Sequence, residues 1–245
     1  MKIIGVIPAR WGSTRFEGKV LADLLGKPVL QHVWERAQQS SLLEEVYIAC
    51  DDERIFSVAQ KFKARVILTS RKCFSGTDRI AEAVKDIQAD MIVNIQGDEP
   101  LIEAQVIDGV IRALIERPEC VVATAVNRLH NPKEIESPHV VKAVIDTDHT
   151  VLYFSRAVIP FARDHAQKQE VHYYRHIGIY AYRRDFLFEY QRLKPSMLER
   201  AEKLEQLRIL EHGHKMATIE TAYHPRGVDT PQDLDELNAY LQSKQ

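Results

Sequence analysis

The chain has 245 residues, 45% hydrophobic and 28% charged. That is the make-up of a soluble globular protein, not of a disordered, collagen-like or small disulfide-stapled chain, and at about 150 residues per domain it fits one α/β domain with an elaboration. Lys plus Arg number 33 against 35 Asp plus Glu, a formal charge of −2, so the overall balance offers no support for a dedicated nucleic-acid binder.

The continuous apolar run Ile3–Ile7 predicts a strand buried on both faces. Pro28–Ser40 carries Val29, Leu30, Val33, Trp34 and Ala37 at helical spacing. A second strand is expected at Val46–Cys50. Asp51 and Asp52 then offer an N-cap for a helix with Ile55, Val58, Ala59 and Phe62 on one face. Strands follow at Arg65–Leu68, Met91–Ile95 and Val121–Val126, with helices at Ile80–Ile87 and Ala104–Arg117. This alternation predicts a mostly parallel sheet with helices on both faces.

The rhythm changes after residue 130. Val140–Asp146, Val151–Ser155 and Ile177–Tyr182 read as strands without long helices between them, which predicts antiparallel pairing in a small insertion. The polar stretch Ala162–Tyr174 reads as a surface loop. A helix is expected over Met197–Glu211, opened by the Ser196/Glu199 capping box and stopped by Gly213. A last strand at Met216–Thr221 precedes a closing helix that starts at Thr230-Pro231 and runs to about Leu241.

The three cysteines, Cys50, Cys73 and Cys120, lack metal-ligand or CxxC spacing and read as reduced thiols of a cytoplasmic chain. The first apolar run ends at Pro8 and Arg10, too early for a signal peptide. No apolar stretch approaches the ~20 residues that span a membrane. No repeat and no low-complexity segment interrupts the chain.

Chemistry is expected where loops leave the carboxyl ends of parallel strands. The loop Pro8–Lys19 leaves the first strand there and carries Arg10, Arg15 and Lys19, with Gly12 and Gly18 for backbone freedom. Met1–Val20 holds four cations and one anion, a local balance of +3 hidden within the near-neutral total. Clustered cations and exposed N–H groups suit a polyphosphate. The loop is not a Walker A loop: Gly12 and Gly18-Lys19 are one residue too far apart, and Val20 replaces Ser or Thr. It also lacks the GxGxxG fingerprint of an NAD-binding turn.

Three further segments stand out. Ser75-Gly76-Thr77-Asp78-Arg79 precedes a helix and reads as a cap or as an anion or base-edge site. Gln96-Gly97-Asp98-Glu99-Pro100 follows a strand, and Asp98 there suits Mg²⁺, which takes one or two carboxylates besides phosphate oxygens and water; a simple turn aspartate is the alternative. Asp229 lies just before a helix cap, either as a second metal carboxylate or in an Asx-turn. In the second half, Arg156, Arg175-His176 and Glu205-Gln206 are polar residues whose ordinary reading is surface or structural.

PARWGSTRFEGK resembles the P-A-R-x-x-S-T-R-x-x-x-K loop of the 3-deoxy-manno-octulosonate (Kdo) cytidylyltransferases, the CMP-Kdo synthetase family. FSGTDR resembles their Q-S-G-T-E-R segment, and IQGDEP, YFSRAVIPF, RHIGIYAY, EKLEQLRILEHG and GVDTP follow in the family's order, from about Ile3 to Leu234. Phe74 stands in place of Gln, Asp78 in place of Glu, and Phe16-Glu17 where Leu-Pro is common.

The resemblance implies a Rossmann-like three-layer nucleotidyltransferase fold: an α/β domain over 1–245, mostly parallel, with a small antiparallel insertion. Residues 1–130 would form the CTP-binding part, and about 140–182 the sugar-binding and dimerisation insertion of a homodimer. The implied reaction is CTP + Kdo → CMP-Kdo + pyrophosphate, for lipopolysaccharide biosynthesis.

By position, Lys19, Asp98 and Asp229 would be catalytic. Arg10, Ser13, Arg15 and Lys19 would hold phosphates, and Ser75 and Gly76 would read cytosine or ribose. Asp98 and Asp229 would bind Mg²⁺. Arg79, Gln96, Arg156, His176, Tyr180, Glu205 and Gln206 would surround the sugar acid, with Arg156 a cationic partner for its carboxylate.

Cytidylyltransferases for the 8-amino analogue of Kdo are similar across these motifs, with Gln96–Glu99 siding with Kdo. CMP-sialic acid synthetases usually carry a G-G-S-K pattern where this chain has Ser13-Thr14-Arg15. A non-catalytic nucleotide-binding protein on the same fold is the alternative of another class; both Asp98 and Asp229, with Lys19, speak against it.

Overall fold

A computed structural model describes residues 1–73, 75–164 and 171–244. In chain order the elements begin with β1 (Ile3–Ala9), a 3-10 turn (Lys19–Leu21), β2 (Asp23–Leu24), β3 (Lys27–Pro28), α1 (Val29–Ala37), β4 (Glu45–Cys50), α2 (Glu53–Lys61) and β5 (Arg65–Leu68). They continue with α3 (Gly76–Val84), β6 (Met91–Asn94), α4 (Ala104–Glu116), β7 (Cys120–Leu129), α5 (Pro132–Glu136), β8 (Lys142–Ile145) and β9 (Val151–Ser155). The chain closes with β10 (Tyr173–Arg183), α6 (Arg184–Tyr190), α7 (Met197–Glu202), α8 (Leu207–Glu211), β11 (Lys215–Glu220) and α9 (Pro231–Gln242). These elements gather into two compact units, Met1–Asp108 with Pro225–Gln245, and Gly109–His224.

The first unit contains a parallel sheet of order β6-β1-β4-β5. Its strands read as unbroken apolar runs because Ile3, Ile4, Val6 and Ile7 of β1 and Met91, Ile92 and Val93 of β6 are at most 4% exposed. Each fully buried side chain of this kind contributes about 1.5–3 kcal/mol. All four strands run one way, so the loops after β1, β4, β5 and β6 leave a common edge. At that edge a Cβ on Gly97 would sit 2.8 Å from the Pro8 carbonyl oxygen. Glycine is what lets the chain leaving β6 pass so close to the chain leaving β1.

The C-terminal segment returns to this unit through a satellite core. Leu24, Val29, Val228 and Leu237 bury together, with Phe16, Leu234 and Leu241 packed against them. The Val228 N–H donates to the Asp98 carbonyl at 2.8 Å. Helix α9 is capped by Thr230 and Asp233, with Pro231 in its first turn, as its sequence predicts.

The second unit is mixed. β7 pairs with β11 in parallel and with β10 antiparallel, and β10–β8 and β8–β9 are antiparallel. The antiparallel pairing expected within 140–182 is therefore present.

Several boundaries differ from expectation. β10 starts at Tyr173, inside the stretch read as a loop, because Tyr174 and Arg175 pair with Ala143 and Lys142; residues 165–170 of that stretch lie outside the described residues. The single helix expected over Met197–Glu211 is two helices. Lys203 turns left-handed at φ 56° and ends α7, which seats Leu204 and Leu207 in the core. The capping box at Ser196 holds, and Gly213 follows α8 with φ 81°. Helix α3 starts at Gly76, not Ile80, because Ser75 and Asp78 cap each other's backbone. Helix α6, unmarked by any sequence signal, opens directly from the end of β10.

Candidate active site

The loop after β1 folds back on itself. Gly18 takes φ 69°, and its N–H donates to the Trp11 carbonyl at 3.0 Å. A Cβ there would lie 2.8 Å from the Trp11 ring. This closure feeds the short 3-10 turn that starts at Lys19 and leaves the Lys19 side chain only 10% exposed.

Two carboxylates from distant parts of the chain meet that side chain. Lys19 Nζ donates to Asp98 Oδ2 at 2.5 Å and to Asp229 Oδ1 at 2.8 Å. Arg15 completes the cluster at 3.0 Å from Asp229 Oδ2. The Asp229 carboxylate is thus engaged by cations. The satellite core and the Val228–Asp98 hydrogen bond are what bring it there.

Burial works against the Lys19 ammonium, but Asp98 and Asp229 outweigh it and hold its pKa above the ordinary lysine value. Burial likewise pushes the Asp229 carboxyl up, and Lys19 and Arg15 outweigh it, so its pKa lies below the ordinary range. The cluster sets two cationic side chains, Lys19 and Arg15, against two carboxylates, Asp98 and Asp229. Among the described residues Arg10 has no ion pair and Ser13 no hydrogen-bond partner; Arg10 is exposed.

Among the described residues no three His, Cys, Asp or Glu side chains gather as a metal cage. Asp98 and Asp229 nevertheless sit within two hydrogen-bond lengths of each other through Lys19 Nζ. Two carboxylates beside a loop rich in cations suit a divalent ion that completes its shell with phosphate oxygens and water.

At the second segment, Ser75 Oγ accepts from the Asp78 N–H at 3.1 Å, and the Ser75 N–H donates to Asp78 Oδ2 at 3.2 Å. Asp78 thus makes the capping box, in place of the family's Glu. Phe74 lies outside the described residues. Arg79 is 4% exposed; its Nη2 donates to Asp51 Oδ2 at 2.9 Å and its Nη1 to Thr69 Oγ1 at 2.7 Å. Gln96 donates to Asn94 Oδ1 at 3.0 Å.

The second unit holds the remaining expected residues. His176 and Tyr180 lie along β10, their rings 5.4 Å apart, with Phe154 edge-on to His176 at 4.7 Å. His176 Nε2 is 3.0 Å from Thr124 Oγ1. Burial pushes the imidazole pKa down to about 3, so the ring is neutral at physiological pH. Burial also raises the Tyr180 phenol well above its ordinary value. Arg156 is clasped from several sides. Its N–H donates to Glu202 Oε2 at 2.9 Å, its Nε to the Glu202 carbonyl at 2.9 Å and its Nη1 to the Pro138 carbonyl at 3.0 Å. Gln206 is 5% exposed at the start of α8, and the Glu205 carbonyl accepts from the Tyr190 hydroxyl at 3.2 Å.

Sequence reasoning missed two groups here. Lys142 is fully buried, and its Nζ donates to the carbonyls of Ser137 at 2.8 Å, Val140 at 2.6 Å and Arg156 at 2.6 Å. Nothing local in the sequence announces that clamp. Asp51 was legible: it stands at the carboxyl end of β4, the edge where function is expected. The capping role read for Asp51 and Asp52 together belongs to Asp52, which accepts from the Arg54 N–H at 3.0 Å. No helix among the described residues is long and apolar enough to cross a membrane.

Residues 4–217 match the family model for cytidylyltransferases. A 3-deoxy-manno-octulosonate cytidylyltransferase of Solibacter usitatus is 48% identical over 237 residues, covering 97% of this chain and 93% of the relative. The mitochondrial enzyme of that name from Arabidopsis thaliana is 42% identical, covering 99% and 84%. Among solved structures, a CMP:2-keto-3-deoxy-manno-octonic acid synthetase complexed with CTP superposes with a TM-score of 0.95 at 41% identity, over the whole of both chains. A 4-diphosphocytidyl-2C-methyl-D-erythritol synthase from Anaerococcus prevotii shares the fold, with a TM-score of 0.66 at 15% identity and 98% of each chain covered. Matched in sequence and fold along its length, the chain belongs to the 3-deoxy-manno-octulosonate cytidylyltransferase family of nucleotidyltransferases.

Proposed function

We propose that this chain transfers CMP from CTP to the anomeric hydroxyl of Kdo, releasing pyrophosphate and supplying CMP-Kdo for lipopolysaccharide synthesis. The observation that carries this reading is Lys19 held between Asp98 and Asp229 beside a loop bearing Arg10 and Arg15. The sugar oxygen forms a bond to the α-phosphorus while the bond from that phosphorus to the bridging oxygen of pyrophosphate breaks. Such a step needs alignment and charge neutralisation, not a protein nucleophile.

Arg10, Ser13, Arg15 and Lys19 take the phosphates and the departing pyrophosphate, whose growing negative charge their cations offset. Ser75 and Gly76, at the start of α3, face the cytosine or ribose. Asp98 and Asp229 hold Mg²⁺. When bound, the ion screens phosphate charge and polarises the attacking hydroxyl. Arg156 receives the sugar carboxylate. Neutral His176 takes part by hydrogen bonding, not as a cation, together with Tyr180, Glu205 and Gln206 of the same unit; Gln96 of the first unit is also assigned to the sugar acid.

We assign CTP binding to 1–130 and sugar binding and dimerisation to about 140–182. The exposed apolar side chains Leu152, Val158 and Phe161 in the latter segment support a homodimer, which sedimentation velocity of the purified chain tests as a two-chain species. Free cysteines and the absence of a membrane-spanning helix among the described residues support a cytoplasmic setting.

Pyrophosphate release from CTP and Mg²⁺, measured across a panel of sugar acids, tests the activity. Release with Kdo is expected. Release only with the 8-amino analogue would reassign the substrate, and equal rates with UTP would remove the cytosine assignment.

A further inference from the structure

Asp51 joins two segments of the nucleotide side that are far apart in sequence. Its Oδ1 accepts from the Trp11 N–H at 2.9 Å, in the loop after β1. Its Oδ2 accepts from Arg79 Nη2 at 2.9 Å, in the first turns of α3. Arg79 Nη1 reaches Thr69 Oγ1 at 2.7 Å, and that hydroxyl donates to the Cys50 carbonyl at 2.9 Å. Side-chain exposure is 5% for Arg79 and 14% for Asp51. The link therefore ties the loops after β1, β4 and β5 to the helix that carries Ser75 and Gly76.

Its end at Trp11 is held by two side chains. Arg54 lies over the indole with its guanidinium carbon 3.5 Å from the ring centroid, and Trp11 Nε1 donates to Glu17 at 2.5 Å. Moving Asp51 would therefore move the whole turn of the phosphate loop. Arg79 spends both terminal nitrogens on Asp51 and Thr69 while almost fully buried, a poor state from which to greet a sugar. A buried guanidinium paired through charge-assisted bonds holds geometry.

We propose that Asp51 and Arg79 are positioning residues for CTP, fixing the phosphate loop and the Ser75–Gly76 turn relative to each other, and that Arg79 does not contact the sugar acid. This rests on reading those two segments as the nucleotide site.

The test compares Asp51→Asn and Arg79→Lys with the wild-type chain, in steady-state kinetics and in CTP binding by calorimetry. Misplacing a phosphate-binding loop by a fraction of an ångström is expected to raise KM for CTP and the CTP Kd about tenfold. KM for Kdo should stay within about twofold of wild type, because the sugar contacts are untouched. Trp11 is one of two tryptophans. In a Trp34→Phe background, Asp51→Asn should shift its emission to the red and speed its quenching by acrylamide.

Arg79→Lys keeps the buried charge and serves if Asp51→Asn does not fold. A rise in KM for Kdo with KM for CTP unchanged would place Arg79 on the sugar and overturn the proposal. So would unchanged CTP affinity in both variants. If the wild-type chain turned over no sugar acid, the proposed activity would fail, while calorimetry with CTP alone would still decide this inference.

Discussion

The surroundings of Lys19 and of His176 solve opposite problems. Around Lys19, cations and carboxylates face one another: Asp98 and Asp229 share one ammonium, and Arg15 also pairs with Asp229. Around His176, titratable groups are buried among aromatic rings and kept neutral. Cationic side chains such as Lys19 and Arg15 suit a polyphosphate, whose charge must be matched. Neutral donors and acceptors suit hydroxyls, where a full charge would cost desolvation for little gain. The contrast supports the proposed placing of the phosphates in the first surroundings and of the sugar hydroxyls in the second.

The largest expected effect breaks the cluster around Lys19. Asp98→Ala should lower CMP transfer by about 10³-fold or more, since it removes one of the two carboxylates proposed to hold Mg²⁺. Urea denaturation should show a fold near wild-type stability, because Lys19 keeps Asp229. Activity within tenfold of wild type would remove Asp98 from the metal site.

Lys142→Met comes next and probes the scaffold of the second unit. It strips the ammonium from three carbonyls and is expected to cost about 2–4 kcal/mol in urea unfolding. A cost below about 1 kcal/mol would mean that those carbonyls find other partners.

Acid titration sharpens the comparison. The His176 pKa is about 3 in the folded chain against an ordinary 6.5. Between those values the unfolded chain binds a proton that the folded chain does not. His176 therefore leaves stability at its full value above pH 6.5 and lowers it as the pH falls toward 3. His176→Gln should flatten that slope, by on the order of 5 kcal/mol at the acid end. An unchanged slope would contradict the neutral, buried ring.

The smallest effect is expected from Arg15→Gln. Arg15 and its partner Asp229 are 64% and 45% exposed, so the pair contributes only about 0.5 kcal/mol. Asp229 is held below the ordinary carboxylate range, so its contribution is full above that range and is lost as the pH falls through its folded value. Arg15→Gln should shrink this acid-side component, read by urea melts at successive pH values. A loss above about 2 kcal/mol would make Arg15 a structural residue.

Much of the first unit was legible because its signals are local. Parallel strands buried on both faces, such as β1 and β6, are continuous apolar runs, and the edge strand β5 falls at Arg65–Leu68 as predicted. The loop after β1 carries its cations within a few residues. Asp229 was suspected because capping left it unexplained, yet its meeting with Lys19 depends on a core formed by residues from both ends of the chain.

The second unit hid more. The start of β10 depends on partners in β8, a pairing across some thirty residues that periodicity cannot see. The break at Lys203 needs a left-handed residue that is not glycine, so no sequence signal marks it. Arg79 shows the limit of reading by position: motif order placed it at the sugar, while burial and Asp51 give it a different set of partners.

The most direct test of the central claim follows the α-phosphorus by ³¹P NMR in a mixture of the chain, CTP, Mg²⁺ and Kdo. If the Lys19–Asp98–Asp229 site transfers CMP, a phosphodiester signal and pyrophosphate will grow together as CTP disappears, and Asp98→Ala will show neither. Intact CTP with the wild-type chain, or CMP and pyrophosphate without the phosphodiester, would contradict it.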